Sequence, residues 1–145
     1  MKISQKTDYA LRALYVLAQL QPSGGAVRTA EIAKREKIPQ KFLEAILVEL
    51  RRAGLVQSQR GAEGGHRLAR TASEISVGEI WRALDGPLSP AADLADDKRK
   101  GPAGGAFRFV WDEVEAAASR VVDGITLADV VRRAETQRGA LDFSI

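Results

Sequence analysis

The feature that most constrains the fold is a change of hydrophobic period between residues 40 and 69. Up to residue 53, apolar residues recur every three or four positions, which is typical of an amphipathic helix. After Gly54, two short strand-like runs at 55–60 and 66–69 flank the glycine-bearing segment 61–65. Two such runs joined by five residues that include glycine predict a β-hairpin directly after a helix.

Two more helices are predicted before the period changes. Ser4 is placed to cap the first, and Thr29 is placed to cap a short second helix over 29–37. Ile38-Pro39 forms a turn, since proline disfavours helical geometry in the residue before it and suits the first turn of the helix that follows. The third helix covers 40–53. The residues expected to face the core are Ala10, Ala13, Leu14, Leu17, Leu20, Ile32, Ala33, Leu43, Ile46, Leu47 and Leu50.

Three helices followed by a hairpin predict a winged helix-turn-helix: a mostly α fold with a small β-hairpin wing and the third helix as reader. A fourth helix follows the capping-box pattern of Ser76 and Glu79, with Ile75 and Ile80 as its hydrophobic staple. It should carry Ile80, Trp81 and Leu84 inward. Residues 86–105, rich in proline and glycine, are interpreted as a flexible loop.

A long helix is predicted over 106–122, and a last short helix is capped at Thr126. The long helix carries a broader apolar stripe than a small domain needs, so a partner helix is expected and the chain should form a homodimer. The stripe assigned to dimerisation is Phe107, Val110, Trp111, Val114, Ala118, Val121 and Val122. The predicted division is therefore a DNA-binding domain at 1–85, the loop at 86–105, and dimerisation and C-terminal helices at 106–145.

Charge is distributed unevenly along the 145 residues. Residues 1–70 hold 13 Lys and Arg against 6 Asp and Glu, whereas residues 71–145 hold 9 against 13. A basic half joined to an acidic half suggests that the first half meets a polyanion. The alternative is a solvated basic face with no partner.

Several classes of protein are disfavoured. The chain has no cysteine, which excludes disulfides, thiolate metal sites and a cysteine redox switch. It shows no secretory signal and no membrane-spanning run, so a cytoplasmic location is expected. A nucleophile elbow, a metal-binding pair and a phosphate loop are all missing, and no enzyme is expected.

Several segments together resemble the Rrf-type (IscR/NsrR/CymR-like) winged helix-turn-helix transcriptional regulators. The resemblance covers nearly the whole chain except residues 87–105, and it implies a DNA-binding regulator, a repressor, that acts as a homodimer on a palindromic operator. The segments that carry it are Lys2-Ile3-Ser4-x-Lys6-x-x-Tyr9-Ala10, Phe42-Leu43-Glu44, Leu50-Arg51-Arg52-Ala53-Gly54-Leu55-Val56, Arg60-Gly61-x-x-Gly64-Gly65, residues 75–80, and Trp111 with Ile125-Thr126-Leu127.

The candidate base-reading residues lie on the third helix and the wing. The residues of the third helix that face away from its core stripe and can reach a major groove are Gln40, Lys41, Phe42, Glu44, Ala45 and Val48. The resemblance implies that Phe42 and Glu44 face bases. It also implies that Arg60, next to Gly61, enters a minor groove. The alternatives are a surface pair between Glu44 and Lys41, and an Arg60 that only faces solvent.

The candidate phosphate contacts position a protein on DNA without specifying sequence. They are Lys2, Lys6, Tyr9, Arg51 and Arg52. His66, the sole histidine, stands where the family usually has an aromatic residue and is interpreted as structural. Trp81 and Trp111 are assigned to core packing, with the lining of an effector cavity as the alternative.

No cofactor and no metal are expected. Cluster-carrying relatives have three cysteines in the loop before the long helix, whereas this chain has Asp93, Asp96 and Asp97 there. Asp8 matches a position that supplies a carboxylate ligand in some nitric-oxide-sensing relatives, but one carboxylate cannot hold a cluster. Regulation is then expected from a small-molecule or protein effector. The functional alternatives are a winged-helix protein–protein interaction module and a binder of double-stranded RNA.

Overall fold

The computed structural model describes residues 1–94 and 101–143, which form six α-helices and one two-stranded antiparallel hairpin. In chain order the elements are α1 (Gln5–Leu20), α2 (Thr29–Glu36), α3 (Gln40–Arg52), β1 (Val56–Gln59), β2 (Gly65–Leu68), α4 (Val77–Asp85), α5 (Arg108–Asp123) and α6 (Leu127–Phe143). Two single-turn 3₁₀ helices lie at Gln21–Ser23 and Ala72–Glu74. The predicted mostly helical fold with a hairpin wing is confirmed.

Helix α1 begins where its capping residue predicts. The Ser4 hydroxyl accepts a hydrogen bond from the Thr7 backbone N–H at 3.1 Å and donates to Asp85 Oδ1 at 2.7 Å. The Ser4 backbone N–H donates to the other carboxylate oxygen of Asp85 at 3.1 Å. The last residue of α4 is therefore bound directly to the start of α1, beside the fully buried Thr7.

The start of α2 differs from the prediction. Its N-cap residue is Arg28, and Thr29 is the first helical residue, so the prediction that Thr29 caps this helix was wrong. The Thr29 hydroxyl instead lies 2.9 Å from His66 Nε2, a partner 37 residues away along the chain. At the other end, Lys37 adopts a left-handed conformation with φ of 54° and ends the helix.

The hairpin is anchored in the core at its Val56–Leu68 end, and β2 also pairs with Val27 through the His66 backbone. Val56 pairs with Leu68 at the buried end, and Gln59 pairs with Gly65 at the exposed end. Gly54, with φ of 76°, ends α3 just before the first strand, a conformation that glycine adopts without steric cost. Beyond Val56, β1 is exposed, so this strand of the hairpin is open to solvent.

The core forms as the helical periodicity predicts. All predicted core residues are buried except Leu20, which is half-buried. Leu127 of α6 is 2% exposed and belongs to the same cluster, so the last helix packs against the N-terminal helices. Arg138 of α6 also donates to the Tyr15 hydroxyl of α1 at 2.5 Å.

Helix α4 has only half of its predicted capping box. The Ser76 hydroxyl accepts from the Glu79 backbone N–H at 3.1 Å. The Glu79 carboxylate, however, pairs with Arg70 rather than with the Ser76 backbone. Ile80 and Leu84 are buried as expected, whereas Trp81 is only half-buried.

The predicted length of the last helix was wrong. Its capping box is complete, because Thr126 N–H donates to Asp129 Oδ2 at 3.0 Å and Asp129 N–H donates to Thr126 Oγ1 at 3.1 Å. The helix nevertheless continues for 17 residues. Gly139 lies inside it without ending it, because α6 packs along α1 and needs no intrinsic stop at that point.

The predicted loop at 86–105 is described only in part. Leu88 is buried at 1% exposure, and Asp93 is exposed. Asp96, Asp97 and the neighbouring basic residues lie outside the described residues. The division of the chain at 85 and 105 stays a prediction. Over the described ranges, no helix is long and apolar enough to cross a membrane.

We expect a side chain at Gly78 to disturb the junction of α4 and α5. A Cβ there would lie 2.0 Å from Asp123 Oδ1 and 3.0 Å from Val122 Cγ2. Gly78→Ala should therefore lower the free energy of unfolding by about 1 kcal/mol, because Asp123 must leave its pair with Arg82 while the helix propensity of alanine offsets part of the overpacking cost. The matched control is Gly139→Ala in α6, where a Cβ meets nothing within 4 Å and stability should hold or rise. Urea denaturation giving equal midpoints for the two variants would contradict this.

Candidate nucleic-acid interface

One face of α3 is free of the core. Its opposite stripe buries Leu43, Ile46, Leu47 and Leu50. Of the six residues predicted to reach DNA from this helix, five are exposed and Val48 is half-buried; the Phe42 side chain is 64% exposed. Phe42 is therefore accessible to a partner that enters from this face of α3.

The wing turn is held in one conformation by close backbone contacts. Gly61 has φ of 104°, and Gly65 has φ of 143° with its Cβ position only 2.7 Å from the backbone of Val27. A Cβ on Gly64 would lie 2.4 Å from the Gln59 carbonyl oxygen. Only glycine fits at Gly64 and Gly65, so these residues fix where the neighbouring Arg60 is presented.

An open groove of about 410 Å³ separates the N-terminal part of α3 from the wing. Gln40 and Glu44 line it from the helix, and Arg60 and Gly61 line it from the wing. Four of the predicted DNA-contacting residues, far apart in sequence, therefore meet in one cleft.

The other predicted contacts lie outside this groove. On α3, Lys41, Phe42 and Ala45 are exposed near it, and Arg51 and Arg52 are exposed at the opposite end of the helix. On and before α1, Lys2 is exposed, Lys6 pairs with Glu49 at 3.2 Å, and the half-buried Tyr9 accepts from Gln5 at 3.0 Å.

The surface pair between Glu44 and Lys41 does not form. Within residues 1–94 and 101–143, the structure gives neither of them an ion pair, and it gives none to Arg60. Among the described residues, the Glu44 carboxylate on α3 and the Arg60 guanidinium on the wing are therefore both without an ion-pair partner.

Sequence reasoning missed Arg28 at this site. Its guanidinium donates to the carbonyl oxygens of Gly61, at 3.4 Å, and Ala62. It also lines the groove, together with Thr29 and His66. No local pattern could have identified Arg28, because its partners in the wing lie more than 30 residues further along the chain.

His66 joins three segments at the floor of the groove. Its Nε2 lies 2.9 Å from the Thr29 hydroxyl, and its Nδ1 lies 2.8 Å from the Ser58 hydroxyl. Burial, and next the positive charge of Arg51, lower the pKa of His66 below its usual value. These contacts agree with the prediction that His66 has a structural role.

The predicted dimerisation stripe is only partly covered within the protomer. No residue of α5 is buried, and Phe107 and Val121 are 61% and 58% exposed. The remaining stripe residues, Val110, Trp111, Val114, Ala118 and Val122, are half-buried. Phe109 is 66% exposed but lies about 200° around the helix from Phe107, at 100° per residue.

Helix α5 is fixed to α4 by one ion pair. The Arg82 guanidinium donates to both carboxylate oxygens of Asp123, at 2.6 and 2.9 Å, and to the Ser119 hydroxyl at 3.0 Å. The hydrogen bonds from Arg82 lower the pKa of the Asp123 carboxyl. This pair therefore fixes the direction in which the apolar stripe of α5 faces relative to α4.

The comparisons with known proteins agree with this geometry. A family model described as Rrf2, iron-dependent transcriptional regulator, matches residues 3–133. The chain belongs to the Rrf2 family. Its resemblance to Rrf-type regulators, inferred from motifs, is confirmed, and with it DNA-binding transcriptional regulation.

Full-length relatives and solved structures of the Rrf2 family show the same fold. The transcriptional regulator CymR of Bacillus subtilis is 34% identical over 145 residues, covering 100% of both chains. The structure of B. subtilis CymR, described as a global cysteine regulator, aligns with a TM-score of 0.77 and 33% identity, covering 92% of this chain and 98% of that one. T. potens IscR aligns with a TM-score of 0.76 and 37% identity, covering 94% and 90%.

Proposed function

We propose that this Rrf2-family regulator is a cytoplasmic homodimeric repressor that binds a palindromic operator and carries no iron–sulfur cluster. The observation that carries the proposal is the groove in which Gln40 and Glu44 of α3 meet Arg60 of the wing. A helix in the major groove and an arginine in the adjacent minor groove would read one continuous half-site.

The charge of the groove favours DNA over a protein partner. Arg28 and Arg60 supply positive charge, and Glu44 can accept a hydrogen bond from cytosine N4 while it repels phosphate. A protein–protein module would instead present an apolar cleft with a polar rim. The protein–protein alternative is kept as an outcome of the experiment below.

The partly uncovered stripe of α5 supports the homodimer. Two copies that pair these stripes about a two-fold axis bury the exposed Phe107 and Val121 and present two wings and two reader helices. Two-fold symmetry in the protein implies inverted half-sites in the operator. A dimer bound across both half-sites blocks polymerase from an overlapping promoter, which is repression without further machinery.

The donor set does not suit an iron–sulfur cluster. Such clusters are held mainly by cysteine thiolates, and the chain has no cysteine. Carboxylates such as Asp93 are hard ligands that suit magnesium or calcium rather than cluster iron. In the described part of the chain, no three His, Cys, Asp or Glu side chains are grouped to hold a metal. Regulation is therefore assigned to a small-molecule or protein effector.

The cluster-free proposal predicts a colourless protein. Purified without oxygen, it should lack the charge-transfer absorbance of a cluster, roughly between 300 and 450 nm. Its operator affinity should not change with iron, sulfide, oxygen or nitric oxide. A brown sample that contains iron and stoichiometric sulfide would contradict this.

Selection of bound duplexes from a random pool tests the proposed function. The expected result is one enriched inverted repeat, with an A·T-rich tract where each Arg60 inserts and a C·G pair opposite each Glu44. Enrichment of single, unpaired half-sites would overturn the symmetric homodimer. No enrichment above the starting pool would favour the protein–protein module, and preference for RNA duplexes without sequence selectivity would favour RNA binding.

A further inference from the structure

His66 is placed to hold the wing against α2. Its ring bridges the Thr29 hydroxyl at the start of α2 and the Ser58 hydroxyl on β1. Its backbone also exchanges two hydrogen bonds with Val27, at 2.7 and 2.8 Å. One residue of β2 therefore connects both strands of the wing to the helix-turn-helix.

The groups that face His66 are mostly cationic. Arg28 precedes α2, and Arg60 lies in the wing turn, both lining the groove with His66. Arg51 of α3 acts on the ring electrostatically. Arg67 is the next residue on β2 and is exposed.

Little negative charge offsets these arginines. From α3, Glu44 lines the groove as a carboxylate. From α2, Glu31 is engaged by Arg35 at 3.0 Å. Leu17 of α1 and Gln21 of the 3₁₀ helix that follows it, both uncharged, line a cavity on the far side of His66. Without DNA, these surroundings favour the neutral ring.

We propose that His66 is a positioning residue for the wing and that it takes up a proton when DNA enters the groove. This rests on the proposed function. Neutral imidazole donates from one ring nitrogen and accepts at the other, whereas the protonated ring donates from both. The hydroxyls of Thr29 and Ser58 can serve either state, so the ring gains charge without releasing the wing.

The sign of the effect follows from proton linkage. DNA phosphates bring negative charge to the groove and raise the pKa of His66 above its value in the free protein. Binding therefore takes up protons, and affinity rises as pH falls through the interval between the free and bound pKa values. DNA affinity can change by at most about tenfold per pH unit for each His66 that takes up a proton on binding.

The test measures Kd by fluorescence anisotropy at pH 8 and pH 6, at fixed ionic strength, on the duplex enriched from the random pool. Wild type should bind at least about fivefold more tightly at pH 6, within the limit set by linkage. His66→Gln, which cannot titrate, should bind with the same affinity at both values. An equal pH response in His66→Gln would assign the proton elsewhere, such as to the N-terminal amine, and would overturn the proposal.

NMR gives a direct readout because the chain has one histidine. Its ring C–H signal should titrate at a higher pH with the duplex bound than without it. Specific binding with no rise in this pKa would overturn the inference and leave the proposed function intact. Failure of any duplex to bind at either pH would overturn the proposed function itself.

The positioning role is tested at pH 8, where the ring is neutral. His66→Phe keeps a planar ring without either nitrogen and should weaken operator binding at least about fivefold, comparable to losing one or two hydrogen bonds. The double variant Thr29→Val and Ser58→Ala removes the same bonds from the other side and should weaken binding similarly. Wild-type affinity in a folded form of either variant, judged by circular dichroism, would overturn this role.

Discussion

Aspartate at both Val114 and Val121 is expected to convert the proposed dimer to a monomer. The two positions lie on the partly uncovered stripe of α5, where pairing would bury two unpaired carboxylates per protomer. Operator affinity should then fall by a factor on the order of 100 or more, since the second half-site loses its tethered partner. Sedimentation velocity and anisotropy on the selected duplex measure the two effects.

The matched control places aspartates on the opposite side of the same helix. Phe109 and Ala116 are both exposed and lie about 180–200° around α5 from Phe107. The double variant Phe109→Asp and Ala116→Asp adds the same charge to the same helix but should remain a dimer. A stable dimer in the Val114 and Val121 variant would refute the assignment of the seam.

Arg60→Ala is expected to produce the largest loss from a single side chain. Removing a guanidinium from a narrow minor groove should lower affinity for the selected duplex by roughly 10- to 100-fold, the usual cost of one specific contact. The loss should be largest on sites with A·T-rich tracts at the wing. Anisotropy at fixed salt on tract and tract-disrupted duplexes measures it.

Arg67 provides the control for this experiment. It lies on the same hairpin, is exposed, and donates to Gln59 at 2.9 Å rather than lining the groove. Arg67→Ala removes the same charge and should weaken binding only modestly and equally on both duplexes. Equal losses of affinity in the two arginine variants would show that the wing contributes only positive charge and does not recognise the DNA sequence.

Local signals in the sequence were sufficient for most of the fold. Ser4 and Thr126 cap helices through backbone N–H groups three residues away, so their local patterns contain the capping hydrogen bond, although Ser4 also binds the distant Asp85. The buried stripe of α3 follows in the same way from helical spacing. These features depend on neighbours that any short window of sequence includes.

The errors arose where a distant residue competes for a local role. Thr29 has the side chain of a helix cap, but His66 engages it across 37 residues. Glu79 has the spacing of a capping box, but Arg70 takes its carboxylate. Both partners are set by the tertiary fold, which residue spacing does not encode.

The candidate site was predictable in part for the same reason. Helical spacing placed Gln40 and Glu44 on the outer face of α3, and the hairpin pattern placed Arg60 in the wing; the structure puts all three around one groove, and their contacts with DNA stay a prediction. Arg28 was missed because its link to the wing exists only after the hairpin folds back over α2. The length of α6 was missed because its support comes from α1, at the other end of the chain.

The most direct test of the central claim is the ratio of affinities for two duplexes. Fluorescence anisotropy at one salt concentration compares the selected inverted repeat with a scrambled duplex of the same composition. Sequence-specific regulators bind their sites more tightly by a factor on the order of 1,000 or more, which is the ratio expected here. A ratio near one at physiological salt would contradict a sequence-specific regulator and leave only general affinity for a polyanion.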